Sequence, residues 1–483
     1  MPPLKIILKI LFLILFVSSC TYGDKFQSNL EKNVNSNFLT KNKNISNLPP
    51  SDKWWLEFND PLLNRLIDLG LENNQDIKIA NLAIITARQL NNIDATNLFP
   101  KGSASIGRQR FASPGFGPKG VQYDIYQATF DATWELDFLG KNLDRYKAGK
   151  LRFLKQANLY KTNSLRLASE IAQNYFELKS LQNQLNILEK IVKIRSQLIV
   201  IANNKEQIGN ADKTNIYNAK IALNSSQNLL IETKTNQKIL TYKLAVLLGI
   251  SPDEIAKIIL PINKKPILAY NSGVVPIGLK SDILKRRPDI IAALYEIDAA
   301  NFDQSAQFKE FFPSFNLTAK IGGGAKDLGE VLKNGSNVKD IRGGVSLPIF
   351  SYGSLIAEYK ISKTKAKIAI LDYEKTVIGA LAECESQLIR YVNSLEIENY
   401  ASDALKSSQE ILRIIKNKKA VGAASSEDVL NNKIITLSHE IETVQKKSAS
   451  LVNLIALHKA IGGGFEGFEM KFKKNRVLWV KNK

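Results

Sequence analysis

The chain carries one structural unit twice, at a fixed offset of 213 residues from Pro100 to Pro313, and this limits its possible folds more than any single motif. Phe99-Pro100 returns as Phe312-Pro313, Asp76-Ile77 as Asp289-Ile290, and Tyr160 as Tyr373. Gly140, Gly209 and Gly249 return as Gly353, Gly422 and Gly462. Between Leu71 and Pro100, eight of thirty positions are identical at this shift, where unrelated residues would share about two. The punctuating residues keep step without a net gap, so the chain reads as a pseudo-symmetric pair.

Ahead of the repeats stands an export signal. Lys5 and Lys9 flank the start of an apolar run from Ile6 to Val17, which meets Ser18-Ser19-Cys20. A basic start, a short apolar stretch and small residues before a cut describe a signal peptide over residues 1–19. The cysteine after Val17-Ser18-Ser19 resembles a bacterial lipobox, in which Cys20 is acylated and becomes the first mature residue. Thr21 stands where an Asp would retain many lipoproteins at the inner membrane, so export to the outer membrane is allowed. An uncleaved anchor, or an ordinary signal with a chance cysteine, remains the alternative.

With Cys20 lipidated, Cys384 is the only other thiol, so no disulfide framework is possible. Cys384 lies in a helical stretch and is expected in the core. A net charge of +20 would suggest nucleic acid in a cytosolic protein. The export signal argues against that, and no aromatic-basic interleaving supports it. A basic exterior also suits anionic lipid headgroups. Beyond the signal no apolar run reaches the roughly 20 residues of a membrane helix. Any membrane crossing would have to be made of strands.

Residues 20–58 are expected to form a lipidated tether, closed by Pro49-Pro50 over much of their length. The first repeat is assigned to 59–270, the second to 271–465 and a C-terminal tail to 466–483. Asp60-Pro61 starts a helix, as N-cap and first helical residue. A longer helix ends at Leu98, and its counterpart, opened by Arg287-Pro288-Asp289, ends at Phe311. At each Phe-Pro the periodicity changes from helical to alternating. Tyr126, Ala128, Phe130, Ala132 and Trp134 oppose Gln127, Thr129, Asp131 and Thr133. Phe315, Leu317, Ala319 and Ile321 oppose Asn316, Thr318 and Lys320, and Ile341 to Ile349 alternates likewise. Hairpins are expected at about 101–136 and 314–350.

Such segments fit a half-buried soluble sheet, and they equally fit membrane β-barrel strands. Four strands are too few to close, and an open edge cannot exist in lipid. Three copies, giving about twelve strands, make a natural closed solution. After each hairpin comes a helix without proline, from about Leu143 to Ile208 and from about Leu355 to Val421. Lengths of about 100 Å signal a coiled coil. Gly209 and Gly422 break these helices, and return helices end near Gly249 and Gly462.

The chain resembles the outer-membrane efflux factors, the TolC-type channels of tripartite pumps, and within them the lipidated branch. The resemblance rests on Trp54-Trp55 with Phe58, Asp60-Pro61 and Leu63; on Phe99-Pro100; and on Trp134-Glu135-Leu136-Asp137 with Gly140. Asn174-Tyr175-Phe176, Leu284 through Arg287-Pro288-Asp289, and Phe312-Pro313-Ser314 continue it. Leu347-Pro348-Ile349-Phe350 with Gly353, and Gly462-Gly463-Gly464, complete it in family order. The resemblance implies an α+β membrane protein: a homotrimer whose twelve-stranded barrel, four strands per chain, is continuous with a long α-helical coiled-coil tunnel. It implies a passive gated conduit working with a periplasmic adaptor (membrane fusion protein) and an inner-membrane transporter of RND type, embedded in outer-membrane lipid. A duct for type I protein secretion is the near alternative. A lipid-anchored periplasmic coiled-coil scaffold without a pore is the distant one.

Gly209 and Gly422 are expected at helical tip turns, where glycine adopts the left-handed conformation. The resemblance implies that Asp428, in Glu427-Asp428-Val429-Leu430, points into the pore, where three copies make an acidic constriction. The same Asp also suits the first turn of a helix. Asn431 stands where some members have a second Asp. Lys419 and Ala424 stand where some have the Tyr and Arg of a closing latch. Phe99, Pro100, Phe312 and Pro313 are expected at helix-to-strand junctions. The two His and scattered carboxylates show no triad or metal spacing, so no enzyme activity, cofactor or nucleic-acid partner is expected.

Overall fold

The computed structural model describes residues 37–40, 42–51, 53–113, 121–210, 212–259, 274–333 and 335–464. The signal, Cys20 and the C-terminal tail lie outside them. The described chain divides into two compact units that cut across both sequence repeats. One is built from Leu82–Asn158 and Ile290–Thr376, the other from the described parts of Lys32–Asn81, Leu159–Asp289 and Val377–Lys483.

The first unit holds a four-stranded antiparallel sheet. Strands β2 (Lys101–Ser113) and β3 (Val121–Leu136) form one hairpin, β5 (Ser314–Ala325) and β6 (Asn337–Ser346) the other. The order is β2-β3-β5-β6, so the hairpins fuse through β3 and β5, with Tyr126 opposite Ala325 and Leu136 opposite Phe315. β2 and β6 each pair on one side only among the described residues. The second hairpin is shorter than the 314–350 expected. β6 stops at Ser346, because Pro348 has no N–H for the ladder. At Gly322 a Cβ would lie 2.1 Å from the Ala128 carbonyl oxygen, a strand approach that only glycine permits.

The chain enters these strands through two equivalent turns. Helix α2 (Gln75–Thr96) closes with the Phe99 N–H donating to Thr96 O at 3.2 Å. Helix α7 (Pro288–Lys309) closes with the Phe312 N–H donating to Lys309 O, also at 3.2 Å. The proline that follows disfavours helix for the residue before it, and the strand begins one residue later.

The second unit is helical. Helix α1 (Pro61–Asn73) is capped by Asp60, whose Oδ1 accepts from the Leu62 and Leu63 N–H groups. Helices α3 (Lys141–Gln207) and α8 (Tyr352–Ala420), which begin in the first unit and continue in the second, run 67 and 69 residues, about 100 Å each. They return as α4 (Lys213–Leu248) and α9 (Ser426–Ala460). Ile187, Leu188, Ile191, Ile194 and Leu198 of α3 pack with Ile434 and Leu437 of α9, so the long helix of the first repeat is packed on the return helix of the second. A short helix α5 (Pro252–Ile259) and a fragment α6 (Ile283–Arg286) complete the unit.

Hydrogen bonds repeat at the same offset as the residues. Ile250 N–H donates to Ala245 O at 3.1 Å and Gly463 N–H to His458 O at 2.9 Å, each after a left-handed glycine. Asn74 Nδ2 reaches Leu247 O at 2.9 Å, and Arg287 Nη1 reaches Ala460 O at 2.7 Å. A Cβ at Gly249 would strike the Asn73 carbonyl at 2.4 Å, so this turn demands glycine for space as well as conformation. Cys384 is buried, donating to Ala460 O, and burial pushes its thiol up to about 12.

The segment expected to be a tether is docked from residue 38 onward. Phe38, Trp54, Trp55 and Phe58 are buried. β1 (Ile45–Ser46) pairs in parallel with β4 (Val275–Pro276), and Leu39 N–H donates to Glu385 Oε1. Scattered apolar residues between polar ones hid these anchors, because each docks singly and shows no period.

Candidate functional site

The sheet has two chemically distinct faces. On one, Leu136, Phe315 and Val345 form a row, followed by Trp134 and Leu317, then Ala132, Ala319 and Ile341. Ala104, Phe130 and Ile321, and then Ile106 and Ala128, extend it. Several of these side chains stay open in the single chain, Ile106 at 83% and Ile341 at 78% exposure, while Trp134, Leu136 and Leu317 are half-buried. Aromatic groups collect at its helix end, where Phe138 meets Phe315 edge to face at 5.1 Å. Trp134 Nε1 there donates to Leu98 O at 3.1 Å.

The other face is polar and internally bonded. Asp131 Oδ2 accepts from Ser105 Oγ at 2.9 Å and Thr129 Oγ1 at 3.0 Å. Lys320, one strand over, stands 3.8 Å from Asp131, and Arg342 pairs with Asp340 at 2.7 Å. Asp131, Lys320 and Asp340 share one row, so charge alternates across three strands. The sequence pattern separated the faces but not this row, because strand neighbours across β3 and β5 are set by pairing register. Near the helix end, Lys141 bridges Glu135 at 2.7 Å and Glu310 at 3.3 Å. Arg145 joins Glu310 at 2.6 Å. Phe99 is exposed at its junction, and Phe312 meets Phe308 edge to face at 5.5 Å.

In the helical unit the two hairpin turns match. Gly209 has φ 75 and Gly422 φ 78. Asn210 N–H reaches back to Lys205 O and Ala423 N–H to Lys418 O, both at 2.8 Å, a helix ending that needs the left-handed residue. Asp212 and Ser425 then cap the return helices. Lys205 bonds Glu427 at 2.5 Å, linking the outgoing helix of one hairpin to the return helix of the other. No spacing rule could find this pair, since the two residues lie in different repeats.

Asp428 is exposed at the third position of α9. Its Oδ2 accepts from Ser425 N–H at 2.8 Å and Ser425 Oγ at 2.7 Å, while Ser425 Oγ accepts from Asp428 N–H at 3.1 Å. These bonds hold its carboxyl below the ordinary range. The residue therefore serves its own helix start, leaving a charged group on the turn. Among the described residues no cluster of three or more His, Cys, Asp or Glu could hold a metal, and no helix is long and apolar enough to cross a membrane.

A four-stranded sheet with one apolar face, in a chain with two paired helices of this length, is the fold of outer-membrane channels. The chain superposes on the outer-membrane channel OprN with a TM-score of 0.83, at 20% identity, covering 92% of this chain and 100% of that one. On the CmeC channel of Campylobacter jejuni the TM-score is 0.80, at 25% identity, covering 93% and 94%. The family described as outer membrane efflux protein matches residues 66–250 and again 279–463, two matches separated by the same offset as the repeats. The chain belongs to this family and is an outer-membrane channel component of an efflux system. It is 27% identical to the probable efflux pump outer membrane protein TtgC of Pseudomonas putida, over 85% of either chain. It is 23% identical to the toxin and drug export protein A of Aggregatibacter actinomycetemcomitans, over 96% of this chain and 98% of that one.

Proposed function

We propose that three copies close their sheets into a twelve-stranded barrel in the outer membrane, with the helices as a periplasmic duct. One observation carries this reading: a sheet with one apolar face, one polar face and, among the described residues, two edge strands each paired on one side only. In lipid every edge N–H and C=O needs a partner, and β6 of one copy can supply it to β2 of the next. Apolar residues left exposed on α4 (Ile221, Ile239) and α8 (Ile368, Leu371) supply helix faces for the same contacts.

The polar face would line the channel. Asp428 would stand at the constriction, near tip turns at Gly209 and Gly422 that meet the periplasmic adaptor. An inner-membrane transporter, of RND type, would supply the energy, and Cys20 would carry the lipid anchor. The repeats are assigned to 59–270 and 271–465. A conduit of this kind makes no bonds and needs no cofactor, so enzyme activity is not part of the proposal. Type I protein secretion is the second reading, favoured by the likeness to an exporter named for both toxin and drug. A scaffold without a pore would leave the apolar sheet face without a purpose.

The test is direct. Purified mature protein should run as a heat-modifiable trimer in detergent and conduct ions in planar bilayers. A monomer stable in water without detergent, and without conductance, would overturn the reading.

A further inference from the structure

The apolar face of the sheet ends abruptly at its loop side. From Leu136 to Ala128 on β3 the apolar rows run about 27 Å along the strand, or about 21 Å of height at the tilt of a barrel strand, most of a hydrocarbon band about 25 Å tall. The next pairs on that face are Arg108 with Tyr126 and Arg110 with Asp124. Asp124 Oδ2 accepts from Arg108 Nη2 at 2.7 Å and from Arg110 Nη2 at 3.2 Å, and its Oδ1 accepts from Arg110 Nε at 3.0 Å. The Arg108 guanidinium also lies 5.6 Å from the Tyr126 ring centroid. One carboxylate thus gathers two guanidinium groups onto one face and neutralises only one of them. Both remain open, at 50% and 64% exposure. Lys339, opposite Ile321 on β6, is an exposed cation on the same face, but it stands in the Phe130 row, four residues along the strand from the Arg108–Tyr126 pair.

A charge at mid-membrane on a lipid face is strongly disfavoured, and near the interface it costs far less. The position is therefore tolerated, and the N–H groups of both forks that Asp124 does not take suit phosphate oxygens. A free phosphate would use the forks alone. A phosphorylated lipid would also lay its chains on Ile106 and Phe130, directly below.

We infer that Arg108 and Arg110 seat a phosphate group of a phosphorylated lipid in the leaflet beside the strand loops. The inference rests on the barrel reading above.

The probe is diphosphorylated lipid A, added to the purified full-length protein in detergent and read by native mass spectrometry. The native protein should retain it at least tenfold more tightly than the Arg108→Gln/Arg110→Gln variant, and more tightly than it retains the dephosphorylated lipid. Millimolar inorganic phosphate should not displace it. Retention by the double variant equal to native overturns the inference, as does complete displacement by inorganic phosphate. Bilayer conductance of the same preparations separates the two readings. If the native protein fails to conduct, the barrel reading falls; if it conducts and the variant holds lipid A normally, only the lipid seat falls.

Discussion

Replacing Asp60 with alanine should be among the most damaging single changes in the helical unit. Its carboxylate caps α1, accepts the Tyr175 hydroxyl at 2.6 Å and pairs with Lys179 at 3.0 Å. The Lys179 side chain is 1% exposed, so it cannot turn to water when its partner is removed. Loss of the cap costs about 1 kcal/mol. An uncompensated buried charge costs about 3–5 kcal/mol, and the stranded Tyr175 hydroxyl about 1–3 kcal/mol. These overlap, because Tyr175 and Lys179 share one oxygen, so a total of about 4–6 kcal/mol is expected. Asp60→Ala/Lys179→Met should recover about half of that, since the second change removes the orphaned ammonium. The assay is the unfolding rate of the detergent-purified protein at fixed temperature, followed by circular dichroism, because such assemblies seldom unfold reversibly. A double variant no slower to unfold than Asp60→Ala would refute the reasoning. Burial alone would raise the Asp60 carboxyl, but Tyr175 and Lys179 outweigh it and hold the group below its ordinary 3.8. A depressed folded value means the stabilisation is full above that ordinary value and is lost as pH falls through the folded one. Acid should therefore erase the difference between native protein and Asp60→Asn.

Three further outcomes are expected. Gly322→Ala puts a methyl group 2.1 Å from the Ala128 carbonyl oxygen and should lower the yield of heat-modifiable trimer, whereas Gly343→Ala, with nothing within 4 Å, should not. Asp428→Asn keeps an acceptor for Ser425 but removes the charge, so cation preference in bilayers should fall with little change in melting temperature. Ser425→Ala should do the reverse, fraying the helix start by about 1 kcal/mol while leaving ion preference intact; equal selectivity in both variants would discard the constriction. Cys20→Ser should abolish incorporation of labelled palmitate while leaving conductance unchanged, and persisting label would place the lipid elsewhere.

Much of the architecture was legible because it repeats. The long helices, the Phe-Pro junctions and the glycine turns each occur twice at one spacing, and a left-handed turn or a change of period leaves a local signature. The sheet faces were legible for the same reason, as strict alternation. What escaped was whatever depends on contacts between distant segments. The docked stretch around Phe38 and Trp54, the fusion of hairpins through β3 and β5, and the Lys205–Glu427 pair involve residues with no shared period. Asp428 was visible as a candidate, but its engagement by Ser425 depends on side-chain rotamers that spacing alone does not specify.

By itself the amino-acid order determined the duplication, the lengths of the helices, the positions of the turns and the presence of strands with one apolar side, since all of these follow from local conformational preference and periodicity. The tertiary structure alone decided which strands are neighbours, which edges stay open, and where charge is buried or paired, because those depend on backbone register and on segments brought together from opposite ends of the chain. The open edges β2 and β6 belong to that second group, and the proposed ring follows from them.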